Sequence, residues 1–218
     1  MRQLFRFLLT VSLSITPSVV LGQTVEQLWQ QGLQAANSQN YVQAESIWLS
    51  VITNRPNDAG AYNNLGLALM NQGKLDEAIA RFTQAIQRDQ TLVAAYNNLG
   101  LALAENGKLN DAGAVYMEGI KLNPNLAPPY TNVGDVLREL DRFEEAISAY
   151  TAALSVEDMM AQPASSHTLA HYGLGLLYQE QGNLLEAIVE FQKALGITPN
   201  YQPAQDSLNQ VQGQINSR

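Results

Sequence analysis

Apolar residues return along this chain at helical spacing, in short amphipathic stretches separated by polar turns. In the segment 59–92, Tyr62, Leu65, Gly66 and Leu69 fall within about 100° of one another at about 3.6 residues per turn and make one stripe. A second stripe follows as Leu75, Ala78, Ile79, Phe82, Ala85 and Ile86, at i, i+3, i+4 and i+7 spacing. Gly73, a residue suited to ending a helix, lies between them. The pattern predicts two helices joined by a tight turn, a hairpin whose apolar faces need a neighbour to cover them.

The hairpin is repeated. Ala61 to Leu69 recurs letter for letter as Ala95 to Leu103, 34 residues later. That frame sets units at 25–58, 59–92, 93–126 and 127–160, then a seven-residue insertion at 161–167 and a unit at 168–201. Position 8 of each unit is glycine (Gly32, Gly66, Gly100, Gly134, Gly175) and position 20 is alanine (Ala44, Ala78, Ala112, Ala146, Ala187). Position 24 is always aromatic: Trp48, Phe82, Tyr116, Tyr150 and Phe191. Glycine inside a helix costs roughly 1 kcal/mol of propensity, so its return in every unit points to close helix approach. Gly107, Asp141 and Gly182 repeat the turn at Gly73, and Pro124 and Pro199 stop the second helices. Residues 202–218 carry Ala204, Leu208, Val211 and Ile215 on one face and Gln205, Asn209, Gln212 and Asn216 on the other. They are expected to form a capping helix with a polar outer side.

These spaced positions resemble the tetratricopeptide repeat (TPR) family, whose pattern has an aromatic at 4, Leu at 7, Gly at 8, Ala at 20, an aromatic at 24, Ala at 27 and Pro at 32. The resemblance covers residues 25–201, with departures at Leu28, Gln31 and Gly119 and at the missing prolines of units 2 and 4. It implies an all-α fold, a right-handed α-solenoid of five helical hairpins with a C-terminal capping helix. It also implies a non-enzymatic, protein-binding role, with the groove lined by the side of each first helix that lies opposite the packing stripe.

Positions 2, 5, 6, 9, 12 and 13 fall on that side. Position 6 supplies Asn64, Asn98 and Asn132, with Asn63 and Asn97 beside two of them. An amide offers a donor and an acceptor, so this column can pair with an extended peptide backbone whatever its side chains. Position 9 supplies Leu67 and Leu101 as an apolar floor and then Asp135, while Glu105 and Glu139 at position 13 turn the C-terminal half acidic. Arg138 is the one base in these columns. TPR domains that clamp a C-terminal carboxylate use Lys and Arg where this chain has Gly60, Asn63, Asn64, Ala94, Asn97, Pro128 and Thr131. The expected partner is therefore another protein, met through a neutral or basic extended segment. The alternative is a self-associating, homo-oligomeric subunit of an envelope assembly.

Charge and composition narrow the rest. Twelve Lys and Arg against 20 Asp and Glu give a formal charge of −8, so neither nucleic acid nor anionic lipid is generally attracted. The chain has no cysteine, which excludes disulfides, thiolate metal sites and thiol catalysis. No phosphate-binding loop, dinucleotide fingerprint or nucleophile elbow occurs, so no catalytic residue, cofactor or small-molecule substrate is expected. His167 and His171 are spaced i, i+4 but lack a third ligand, and His171, at position 4, is expected to pack in the core.

Residues 1–22 read differently. Arg2 and Arg6 precede an apolar stretch, Phe7 to Leu21, that polar residues and Pro17 interrupt, too short and too polar to span a membrane. The layout is that of a cleavable export signal of bacterial type, with cleavage after Gly22 and a mature 23–218 chain in the periplasm or outside the cell.

Overall fold

The computed structural model describes residues 23–159 and 164–217. The expected export signal at 1–22 and residues 161–163 of the insertion lie outside them. Among the described residues there are helices and no strands: α1 (Val25–Asn37), α2 (Tyr41–Asn54), α3 (Ala59–Met70), α4 (Leu75–Arg88), α5 (Val93–Glu105), α6 (Leu109–Leu122), α7 (Ala127–Glu139), α8 (Phe143–Ser155), α9 (Ser166–Glu180), α10 (Leu184–Ile197) and α11 (Gln202–Asn216). Each helix packs on the next, and from α3 to α11 the odd helices also touch their odd neighbours, while even helices make no comparable contacts with one another. The stack is therefore a solenoid that curves with its odd helices inside.

One packing event recurs in every hairpin. The aromatic at position 24 of the second helix is fully buried, and its ring lies against the glycine at position 8 of the first. A Cβ added at Gly32, Gly66, Gly100, Gly134 or Gly175 would come within 2.7, 2.5, 2.4, 2.6 or 2.4 Å of the ring of Trp48, Phe82, Tyr116, Tyr150 or Phe191. No carbon fits at those distances, so only glycine lets the two helices close.

The turn between paired helices is equally uniform. The residue at position 16 (Asn40, Lys74, Lys108, Arg142 or Asn183) donates its N–H to the carbonyl five residues back, at 2.8–3.0 Å. This Schellman closure needs a left-handed residue before it. Gly73, Gly107 and Gly182 supply φ of 75°, 73° and 78°, whereas Gln39 and Asp141 hold φ of 58° and 56° with a side chain attached.

The helices start on the 34-residue frame except at α9. It begins at Ser166, two residues before the unit boundary at 168, capped by the Ser165 hydroxyl, which accepts from the Thr168 N–H. Asp158 Oδ1 accepts the N–H of His167 at 3.0 Å and the Met159 carbonyl accepts that of Ser166 at 3.0 Å. Ala164, Ser165 and Ser166 are thus buried. The expected loop 161–167 is shorter than its sequence frame: its last two residues are helix, because the chain at 158–159 folds back to cap it.

At the C-terminal end α11 buries Ala204, Leu208 and Val211 and leaves Gln202, Gln210, Gln212 and Gln214 exposed, the arrangement of a cap, whereas Ile215, expected on the apolar face, is exposed as well.

Two stability changes are expected. Gly100→Ala gains about 1 kcal/mol of helix propensity but overpacks Tyr116 at about 1–3 kcal/mol, so a net loss should appear as a lower urea midpoint. Gln39→Gly relieves a left-handed side-chain conformation and should raise the midpoint by about 1 kcal/mol of stability.

Candidate binding face

The concave side carries the columns that the sequence singles out. Asn98 Nδ2 donates to Asn63 Oδ1 at 2.9 Å, and Asn132 Nδ2 donates to Asn97 Oδ1 at 2.9 Å. The asparagines therefore pair across α3, α5 and α7 with an offset of 35 residues, one more than the repeat. Asn63 is 8% exposed and belongs to the framework of this strip, while Asn64, Asn97, Asn98 and Asn132 are half-buried. Each rung uses one donor and one acceptor. Asn97 Nδ2, Asn98 Oδ1, Asn132 Oδ1 and both polar atoms of Asn64 have no partner among the described residues and are not sealed from water.

Aromatic rings bound the strip. On the N-terminal side Trp29 occupies position 5 of the first unit, where an asparagine would have received Asn64. It sits edge-on to Trp48 with ring centroids 5.0 Å apart. On the C-terminal side the ring of Tyr150 passes Gly134 and reaches Gly173, the residue that stands at position 6 of the last unit. A Cβ at Gly173 would lie 2.4 Å from that ring, so no asparagine can continue the column.

The Tyr150 hydroxyl donates to Asp135 Oδ1 at 2.6 Å. Leu67 and Leu101, in the same column as Asp135, are half-buried against the core. Burial pushes the Asp135 carboxyl above the usual carboxylate range, although the Tyr150 hydroxyl and the Arg138 guanidinium act in the opposite sense. Burial and then the nearby Asp135 charge push the hydroxyls of Tyr116 and Tyr150 upward, so both stay protonated. Arg138 Nη1 donates to Glu180 Oε1 at 2.6 Å, and its Nε is buried without a partner among the described residues. Glu105 and Glu139 stand exposed at the rim. Where α9 meets α11, Leu176, Gln179, Glu180, Ser207, Gln210 and Gln214 line a cleft of about 250 Å³.

The histidines hold separate partners. His167 Nε2 meets the Val156 carbonyl at 2.9 Å, and His171 Nδ1 donates to Glu190 Oε2 at 2.7 Å. Ring packing expected of position 4 falls instead to the adjacent Tyr172, tilted on Phe191 and edge-on to Tyr201. Burial alone would raise the Glu190 carboxyl, but hydrogen bonds from His171 and Lys193 hold it below its ordinary range. Among the described residues no group of three metal-ligating side chains converges, and no helix is long and apolar enough to cross a membrane.

Four profiles described as TPR or tetratricopeptide repeats match residues 47–80, 68–107, 93–126 and 133–201, together more than half of the chain. This chain belongs to the tetratricopeptide repeat family. Solved structures agree on the TPR fold. A thermophilic TPR protein of Thermus thermophilus superposes with a TM-score of 0.69 at 22% identity, over 86% of this chain and 98% of that one. MamA protein gives 0.65 at 26% identity, over 81% and 92%. YrrB, a TPR protein with an unusual peptide-binding site, gives 0.61 at 19%, over 84% and 91%. No curated protein matches the sequence significantly. The TPR fold is in general a protein–protein interaction scaffold.

Trp29, Tyr150 and Gly173 are the residues of this face that columns of asparagine do not reveal. Their signal lies in the sequence all the same, where position 5 becomes Trp, position 9 becomes Asp beside a Tyr at 24, and position 6 becomes Gly.

A carboxyl whose folded pKa is raised makes the native state bind its proton more tightly than the unfolded chain, so its penalty is present at high pH and disappears as pH falls through the folded pKa. Asp135→Asn keeps an acceptor for Tyr150. It should raise Tm by a few degrees at neutral pH, the gap closing as melts are repeated toward the ordinary carboxylate range.

Proposed function

We propose that this protein is a non-enzymatic scaffold that holds an extended segment of another protein along its concave face. The amide strip carries this reading: Asn64, Asn97, Asn98 and Asn132 keep polar atoms open beside the half-buried Leu67 and Leu101. An extended strand presents alternating N–H and carbonyl groups that such amides can meet, and the leucines offer apolar contact. Glu105, Glu139 and Asp135 favour a neutral or basic segment. YrrB, of the same fold, has a peptide-binding site, a precedent for the architecture rather than for these residues.

The basic and apolar pattern of residues 1–22 supports an exported chain, periplasmic or secreted, serving assembly of an envelope or secretory complex. A second reading, self-association, is favoured by aliphatic side chains on the outer helices of the terminal units: Val42 is 69% and Leu185 70% exposed, with Leu49 and Val189 beside them.

Peptides of about a dozen random residues displayed on phage should yield binders to the folded chain. Replacing Asn64, Asn98 and Asn132 together by Ala, with helical circular dichroism unchanged, should weaken them about 100-fold, at about 1 kcal/mol per hydrogen bond. Binders indifferent to the triple variant would overturn the groove. No binders, with a light-scattering mass above one chain, would favour the second reading.

A further inference from the structure

The concave face changes character along its length. Over α1 to the middle of α5 it presents amides and leucines: Gln30, Leu33, Asn64, Leu67, Asn98 and Leu101. From the end of α5 onward it presents four carboxylates, Glu105, Asp135, Glu139 and Glu180, against the single guanidinium of Arg138. That guanidinium is engaged by Glu180 at 2.6 Å. The surplus on this half is negative.

Asp135 differs from the glutamates. They stand at the rim in water, where a charge is screened and weakly directional. Asp135 takes the place that leucine has in the other four units (Leu33, Leu67, Leu101, Leu176), which puts a carboxylate on the floor among the rings of Tyr116 and Tyr150. Its Oδ1 accepts from Tyr150, whereas its Oδ2 has no hydrogen-bond partner among the described residues and is not sealed from water, with the Arg138 guanidinium within electrostatic reach. A carboxylate stripped of much of its water but left with one open oxygen gains more from an incoming ammonium or guanidinium than a rim carboxylate does.

We propose that Asp135 is the specificity-determining seat of the concave face, taking one lysine or arginine side chain of the bound segment while its uncharged residues lie over Leu67 and Leu101. This rests on the groove reading above. Tyr150 positions the seat: its hydroxyl holds Oδ1, and its ring, packed against Gly134 and Gly173, fixes where that hydroxyl stands.

The test is the same phage selection, run in parallel on the unaltered chain, Asp135→Asn, Tyr150→Phe and the double variant Glu105→Gln/Glu139→Gln. The expected result is enrichment of Lys or Arg over Asp and Glu at one fixed position, about tenfold on the unaltered chain and smaller on Tyr150→Phe, which keeps the carboxylate but loses the hydroxyl that orients it. Asp135→Asn, nearly isosteric, should lose that enrichment and keep the preference for small and aliphatic residues elsewhere. The rim double variant should keep the enrichment and bind with a flatter salt dependence. Equal enrichment on the unaltered chain and Asp135→Asn, or enrichment lost only in the rim variant, would overturn the seat and leave the groove standing. Binders with no preference for a base would do the same. Binders indifferent to the Asn64/Asn98/Asn132→Ala change would remove the groove itself, and the seat with it.

Discussion

Everything in this molecule depends on a ring packed against a glycine. The contact between position 24 and position 8 sets how closely the two helices of a hairpin approach, and a solenoid has no other long-range ruler, since each unit touches only its neighbours. Five such contacts at nearly one distance make five nearly identical hairpins, and identical hairpins bring their odd helices into register on the concave side. The asparagine rungs need that register. A donor–acceptor distance of 2.9 Å between α3 and α5, and again between α5 and α7, survives only if the helices beneath are spaced by a contact that cannot relax.

The rungs change what the asparagines are. A lone exposed amide is a mobile, fully hydrated group whose ordering by a ligand costs side-chain entropy. Here Asn98 and Asn132 are already held by Asn63 and Asn97, so part of that ordering is done in the free protein and the remaining polar atoms point in fixed directions. Tyr150 shows the same economy at the other end of the strip. One side chain fills the cleft under Gly134, stops the asparagine column at Gly173 and orients Asp135.

How far the sequence reveals this follows from where each signal is stored. The frame, the helices, the position-8 glycines and the capping helix are written as periodicity, and periodicity is local. The Asn98–Asn63 rung is not, because its offset of 35 rather than 34 depends on how one helix is staggered against the next. The left-handed turn is legible at Gly73, Gly107 and Gly182 and hidden at Gln39, where tertiary packing imposes a conformation that the residue itself disfavours. The early start of α9 is hidden for a similar reason. Its cap and the acceptor for its first turn come from Ser165 and Asp158, which the repeat frame assigns to an insertion and to the end of the preceding unit. His171 meets Glu190 across two helices, a pairing that no spacing rule within one helix anticipates.

The two boundaries of the strip also fix a length. Trp29 and Tyr150 bound the asparagine rungs, which run over α3, α5 and α7, and two steps between packed helices of about 8–10 Å each give a strip of about 16–20 Å. An extended chain rises about 3.3 Å per residue, so roughly six residues span it. Asp135 lies on α7, at one end of that span, and Asn64 on α3 at the other. A segment laid across the strip therefore meets neutral amides first and a carboxylate last. The asymmetry gives the face a direction, which backbone pairing alone, being the same for any sequence, does not supply.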